Sequence, residues 1–151
     1  MSKRYQHLKG LQRAFGAYKA AEIIARRALK LSEPMAVFPN IAGIKNRKPL
    51  IMRPTESDPF VASQVFGLQE YKLPELIKEK LVNLARSWRN RSIAPIIVDG
   101  GGNTGYSAIY FAATFPEAIV IAIEPNTTSF ELLLRNTSDF PNILAIQAAL
   151  W

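Results

Sequence analysis

The chain has no cysteine and a single histidine among its 151 residues. The missing cysteines exclude a disulfide framework, a thiolate metal site and a cysteine nucleophile, and they fit a reducing compartment. His7 stands among lysines and arginines and is expected at the surface, because catalytic and metal-binding histidines act with partners. Long apolar runs are missing too. The longest, Ala118 to Ile123, falls far short of the ~20 residues that cross a bilayer. Lys and Arg recur every few residues from the start, where a signal peptide would have its apolar core. These absences read as a soluble, cytoplasmic protein with no transmembrane segment.

Acidic residues are scarce in one part only. Up to Arg53 there are twelve Lys and Arg against two Asp and Glu, and the remainder carries seven against ten, so the net charge of +7 belongs to the first third. Such a segment can meet nucleic acid, an anionic membrane face or an acidic partner. A helix with a solvated basic face accounts for it as simply, and no nucleic acid is expected. With 48% hydrophobic and 21% charged residues, the chain is a folded globular one, long enough to bury a core.

Leu8, Leu11, Phe15, Tyr18, Ile23 and Leu29 recur near helical spacing, which predicts one helix from about Tyr5 to Leu31, stopped by Pro34. Gly10, Gly16 and the pair Arg26-Arg27 interrupt the pattern, so loose packing is expected. Met35 to Pro49, punctuated by Pro39 and Gly43, reads as a connector. Leu50 to Met52 reads as a short strand, followed by turn residues Arg53 to Pro59. A helix over Phe60 to Phe66 would be capped by Asp58, with Pro59 at its first position. Pro74 opens a longer helix on which Ile77, Leu81, Leu84 and Trp88 share one face, with Trp88 expected in the core.

The second half is organised around Ile96 to Gly105. Ile96-Ile97-Val98 reads as a strand buried on both faces, and Asp99 with the glycines after it reads as a loop turning tightly around a ligand. Tyr106 to Phe115 reads as a helix, so the loop lies at a helix N-terminus. Ala118 to Ile123 is a second strand. A helix capped from Asn126, Thr127 or Thr128 would turn Phe130, Leu133 and Leu134 to the sheet, and Ile143 to Ile146 is a third strand. The order strand, helix, strand, helix, strand predicts an α/β fold with a Rossmann-like parallel sheet, preceded by an N-terminal helical extension.

Asp99 closes the first of these strands, where it can accept from loop N–H groups or from a cationic amine. Glu124 closes the second, about 20 residues past the last loop glycine, where an acid can hold both ribose hydroxyls of an adenosine. Gly100 to Gly105 satisfies G-x-G-x-x-G literally, so a dinucleotide is one reading. Asp99 argues against it, because a pyrophosphate wants N–H donors and no anion. S-adenosylmethionine carries a sulfonium and an amine, which a carboxylate favours.

The run Ile97-Val98-Asp99-Gly100-Gly101-Gly102-Asn103-Thr104-Gly105-Tyr106-Ser107, with Ile121 to Asn126 and Phe130 to Leu133, resembles the FkbM family of class I methyltransferases. Asn103 replaces the middle glycine of the common class I loop, as in that family. Arg53 to Asp58 resembles the family's Arg-x-Gly-Thr-Ser-Asp segment but departs from it at Thr55 and Glu56. The similarity spans about Leu50 to Trp151. It implies S-adenosyl-L-methionine bound by Asp99, Gly101, Gly102, Asn103 and Gly105, with Glu124 and Pro125 at the ribose and Ala149 near adenine. It also implies methyl transfer to a hydroxyl of a sugar or natural product, and it assigns no catalytic base.

Such a domain needs more than three strands, so the chain is expected to be the cofactor-binding half of an enzyme, with an apolar strand edge open to other chains. The expected divisions are 1–48 as a basic arm and connector, 49–92 as a pre-domain segment and 93–151 as the partial cofactor domain. The competing class is a non-catalytic nucleotide-binding or interaction protein that works through its basic arm.

Overall fold

The computed structural model describes residues 3–39 and 48–150, and residues 40–47 of the expected connector and Trp151 lie outside them. The chain divides into two compact units, Met1–Glu70 and Tyr71–Trp151. The cut falls inside the segment 49–92. Among the described residues, six α-helices and a three-stranded parallel sheet give the α/β class.

In the first unit the expected single helix is two, α1 (Lys3–Phe15) and α2 (Ala17–Ala28). Gly16 separates them at φ 82°, a left-handed backbone that continues neither helix. The break re-aims the apolar pattern. Leu11, Ala14, Ala20 and Ile23 are buried, while Tyr18, which the single-helix reading placed on the stripe, is 85% exposed. The arm is anchored to its unit through these four residues, and His7 is half-buried rather than a surface residue, stacked on Phe60 with ring centroids 4.0 Å apart.

Strand β1 (Met35–Val37) lies in what reads as connector, and it pairs antiparallel with β2 (Leu50–Met52) in the register Met35 to Met52. Helix α3 (Asp58–Ala62) follows and runs into a π-helix, Ser63–Leu68. Asp58 does not cap it. Fully buried, its carboxylate accepts instead from Arg53: Nε and the backbone N–H reach Oδ2 at 3.1 and 2.8 Å, and Nη2 reaches Oδ1 at 2.8 Å. Arg27 closes the same turn by donating from Nη1 to the carbonyl oxygens of Pro54, Thr55 and Glu56. A cation of the basic arm is thus spent on backbone carbonyls.

The π-helix lies against α1 where both elements are stripped of side chain. A Cβ on Gly67 would fall 1.9 Å from the carbonyl oxygen of Gly10, and one on Gly10 would fall 2.0 Å from Ser63 Oγ. Ser63 Oγ donates to the carbonyl of His7 at 3.1 Å.

The second unit begins with α4 (Glu75–Asn90), preceded by Pro74. Its apolar row is real but uncovered: Ile77, Leu81 and Leu84 are exposed, and Trp88, expected in the core, is 38% exposed. Only Ala85 of this helix is buried. Strands β3 (Ile96–Gly100), β4 (Ile119–Ile123) and β5 (Ile143–Ile146) form the parallel sheet in the order β3-β4-β5, so β3 is an edge. Asp99 is level with Ala122 and Gly100 with Ile123.

Helices α5 (Tyr106–Thr114) and α6 (Thr127–Thr137) connect these strands. Ala108, Ala112 and Leu133 from the helices pack with Val120 and Ala122 of the sheet, flanked by Ile97, Ile143 and Ala145. The opposite face is largely open among the described residues. Ile96 and Val98 are each 59% exposed, and Leu144 and Ile146 are exposed as well, which corrects the reading of β3 as a strand buried on both faces. Leu134 is exposed rather than turned to the sheet. No described helix is long and apolar enough to cross a membrane.

Candidate functional site

The site forms where β3 ends and the chain turns into α5. The N–H groups of Gly101 and Gly102 both donate to the Ile123 carbonyl at 2.9 Å, which pins the start of the loop to the end of β4. Gly101 (φ 80°), Asn103 (φ 48°) and Gly105 (φ 89°) all take left-handed backbone. Asn is among the residues that tolerate it. At Gly105 even the space is closed, since a Cβ would meet Thr137 Cγ2 at 2.9 Å, whereas nothing stands within 4 Å of a Cβ on Gly101. Gly101 is the point where a ligand can touch the backbone of this loop.

Glu124, one residue past β4, is buried and grips the loop. Its Oε2 accepts from the N–H of Asn103 and its Oε1 from the N–H of Asn126, both at 2.9 Å. Asn126 in turn caps α6, its side chain accepting from the N–H of Ser129 at 2.9 Å. A carboxylate has about four lone-pair positions, so these two bonds leave acceptor capacity on both oxygens.

Asp99 is half-buried, with Oδ2 accepting from Ser107 Oγ at 2.7 Å. Burial pushes its carboxyl above the usual carboxylate range, and the Ser107 bond opposes that in part. No lysine, arginine or histidine pairs with it among the described residues. Asp99 is thus a carboxyl at the end of a parallel strand, drawn partly out of water and without a countercharge among the described residues.

The two acids lie beside neighbouring parts of one loop, which Glu124 bonds. Asp99 Oδ2 lies 3.5 Å from the Cβ position of Gly102, and Glu124 holds Asn103. Asp99, Gly101, Gly102, Asn103, Gly105 and Glu124 are thereby gathered, and Pro125 follows on the surface. Ala149 is exposed in the segment after β5. Its neighbour Leu150 comes to the tip of β3, where Leu150 Cδ1 is 2.6 Å from the Cβ position of Gly100.

Two contributors go unread from the sequence. Ser107 is one: in the first turn of α5 it faces back to the strand end, and a hydroxyl so soon after a strand-terminal acid is a usable signal. Asn136 is the other, its Nδ2 donating to the Thr104 carbonyl at 2.8 Å from α6. Nothing local announces a bond between residues 32 apart. Thr104 Oγ1 is buried with no hydrogen-bond partner among the described residues.

No protein-family model, no curated protein and no solved structure matches the chain.

Proposed function

We propose that this chain is an S-adenosyl-L-methionine-dependent methyltransferase of the FkbM type, acting in the cytoplasm on a hydroxyl of a small molecule or glycan. The observation that carries the reading is Asp99: a half-buried carboxyl, without a cationic partner among the described residues, on the strand that leads into an approachable glycine. A cationic ligand offsets its desolvation, and a diphosphate adds to it.

The residues present suit that cofactor. Asp99 offers charge to its amine or sulfonium, Gly101 gives backbone access, and the remaining lone pairs of Glu124 suit a ribose diol, with Pro125 beside it and Ala149 on the adenine side. When bound, the cofactor supplies an electrophilic methyl on positively charged sulfur. Rate then comes mostly from alignment, which a loop fixed by Glu124, Ile123 and Asn136 supports. No described side chain is assigned as base. The uncovered apolar residues Ile96, Val98, Leu144 and Ile146 of the sheet are, in this reading, available to contact the acceptor side.

Equilibrium titration with S-adenosylhomocysteine and, separately, NAD tests the proposal. Saturable binding of the first, at least about tenfold tighter than the second, is expected. A chain shown to be folded by circular dichroism that binds no S-adenosylhomocysteine contradicts it.

A further inference from the structure

The first unit holds a cavity of about 850 Å³ lined by residues of α1, α2, α3 and the π-helix. That is the size of a small-molecule pocket, for which roughly 300–1,000 Å³ is usual. Half of its lining residues are apolar, with Leu8, Ile24 and Leu68 accessible and Leu11 and Ile23 buried behind them, and the Phe60 ring forms one wall. His7 stacks on that ring, and the Arg27 guanidinium lies 5.0 Å from its centroid.

Charge on the lining is one-sided. Lys3, Arg4 and Arg27 contribute three cations against the single acid Glu70, which already accepts from Gln64 Nε2 at 3.1 Å. Lys3 and Arg4 also sit in the first turn of α1, which has no acidic residue. Cations there face the positive pole of the helix, an arrangement that an anion relieves. Neither has an ion-pair partner among the described residues.

We propose that this cavity binds an amphiphilic anion: an unbranched alkyl or acyl chain against the aliphatic lining, with a carboxylate or phosphate head at Lys3 and Arg4. A neutral apolar molecule leaves the rim charge unmatched, and a cationic one is repelled by it. The inference is independent of the cofactor reading, since every lining residue belongs to the first unit.

His7 is the sole histidine, so its imidazole gives one resolved set of NMR signals in the full chain and reports on the cavity wall. The chain is titrated with dodecanoate, dodecyl phosphate, dodecanol and dodecyltrimethylammonium below their micelle concentrations. The expected result is saturable binding of at least one anion, about tenfold or more tighter than dodecanol, with the His7 signals shifting in step. The tighter anion identifies the head group. Charge reversal by K3E together with R4E weakens anion binding at least about tenfold and leaves dodecanol unchanged, and Ile24→Asp on the lining weakens both. Anions that bind no tighter than dodecanol, anion binding that leaves His7 unmoved, or a K3E/R4E variant that binds anions unchanged overturns the proposal.

Discussion

The carboxylate of Glu124 accepts the backbone N–H of Asn103 at 2.9 Å, so the acid that ends β4 fixes the loop that follows β3. Its other oxygen holds Asn126, the cap of α6, and one side chain thus couples a glycine loop to the next helix start. Hydrogen bonds to a charged acceptor contribute about 1.5–3 kcal/mol each. In Glu124→Gln one acceptor is kept and an amide N–H₂ faces the other donor. Amide exchange at Asn103 or Asn126 is expected to accelerate about tenfold or more, which hydrogen exchange by NMR measures. Unchanged protection at both amides contradicts the coupling.

Asp99 carries the opposite sign of effect. Its carboxyl, raised by burial, holds its proton in the folded chain at pH values where the unfolded chain has released it. Stability on this account falls as pH rises from the ordinary aspartate value through the folded one, and stays lowered above it. Asp99→Asn keeps an acceptor for Ser107 and removes that loss. Denaturant midpoints are expected to be higher for the variant at pH 7 and to converge with the parent chain near pH 3. A variant less stable at pH 7 contradicts the assignment.

Much of the second unit is legible in the sequence because its signals are local. Three apolar runs bounded by Gly and Pro give β3, β4 and β5, Phe115-Pro116 ends α5, and Asn126 caps α6. What local signals cannot say is which side a partner covers. Ile96 and Val98 read as buried because they are apolar, yet the two helices of the described sheet lie on the other face. The α4 row of Ile77, Leu81, Leu84 and Trp88 misleads for the same reason. In the first unit, Gly16 looks like a weak spot in one helix and is a break between two. The site was half legible: the acids and glycines carry their spacing openly, whereas Ser107 and Asn136 act through the fold.

The glycine crossing in the first unit is the feature least visible in advance. Helix propensity alone favours replacing Gly by Ala, by roughly 1 kcal/mol. At Gly67 the added carbon meets backbone oxygen of Gly10, which cannot rotate away. Gly67→Ala is expected to destabilise the first unit by about 1–3 kcal/mol, and denaturation monitored by the His7 signals reads it out. A neutral or stabilising effect contradicts the close crossing.

Arg53 and the fully buried Asp58 form a two-pronged ion pair. Removing one partner leaves an uncompensated charge, at a cost of about 3–5 kcal/mol. Arg53→Ala is expected to lose that much by urea denaturation. Arg53→Lys recovers only part of it, because an ammonium cannot present the guanidinium fork. Full recovery by lysine contradicts the geometric account.

The central claim is that a half-buried carboxyl selects a positively charged sulfur nucleoside. Calorimetric titration of the full chain and of Asp99→Asn with S-adenosyl-L-methionine tests it directly. The account predicts saturable one-to-one binding by the parent chain and at least about tenfold weaker binding by the variant, even though the variant is the more stable protein. Equal affinity for both chains, or no binding by the folded parent chain, contradicts it.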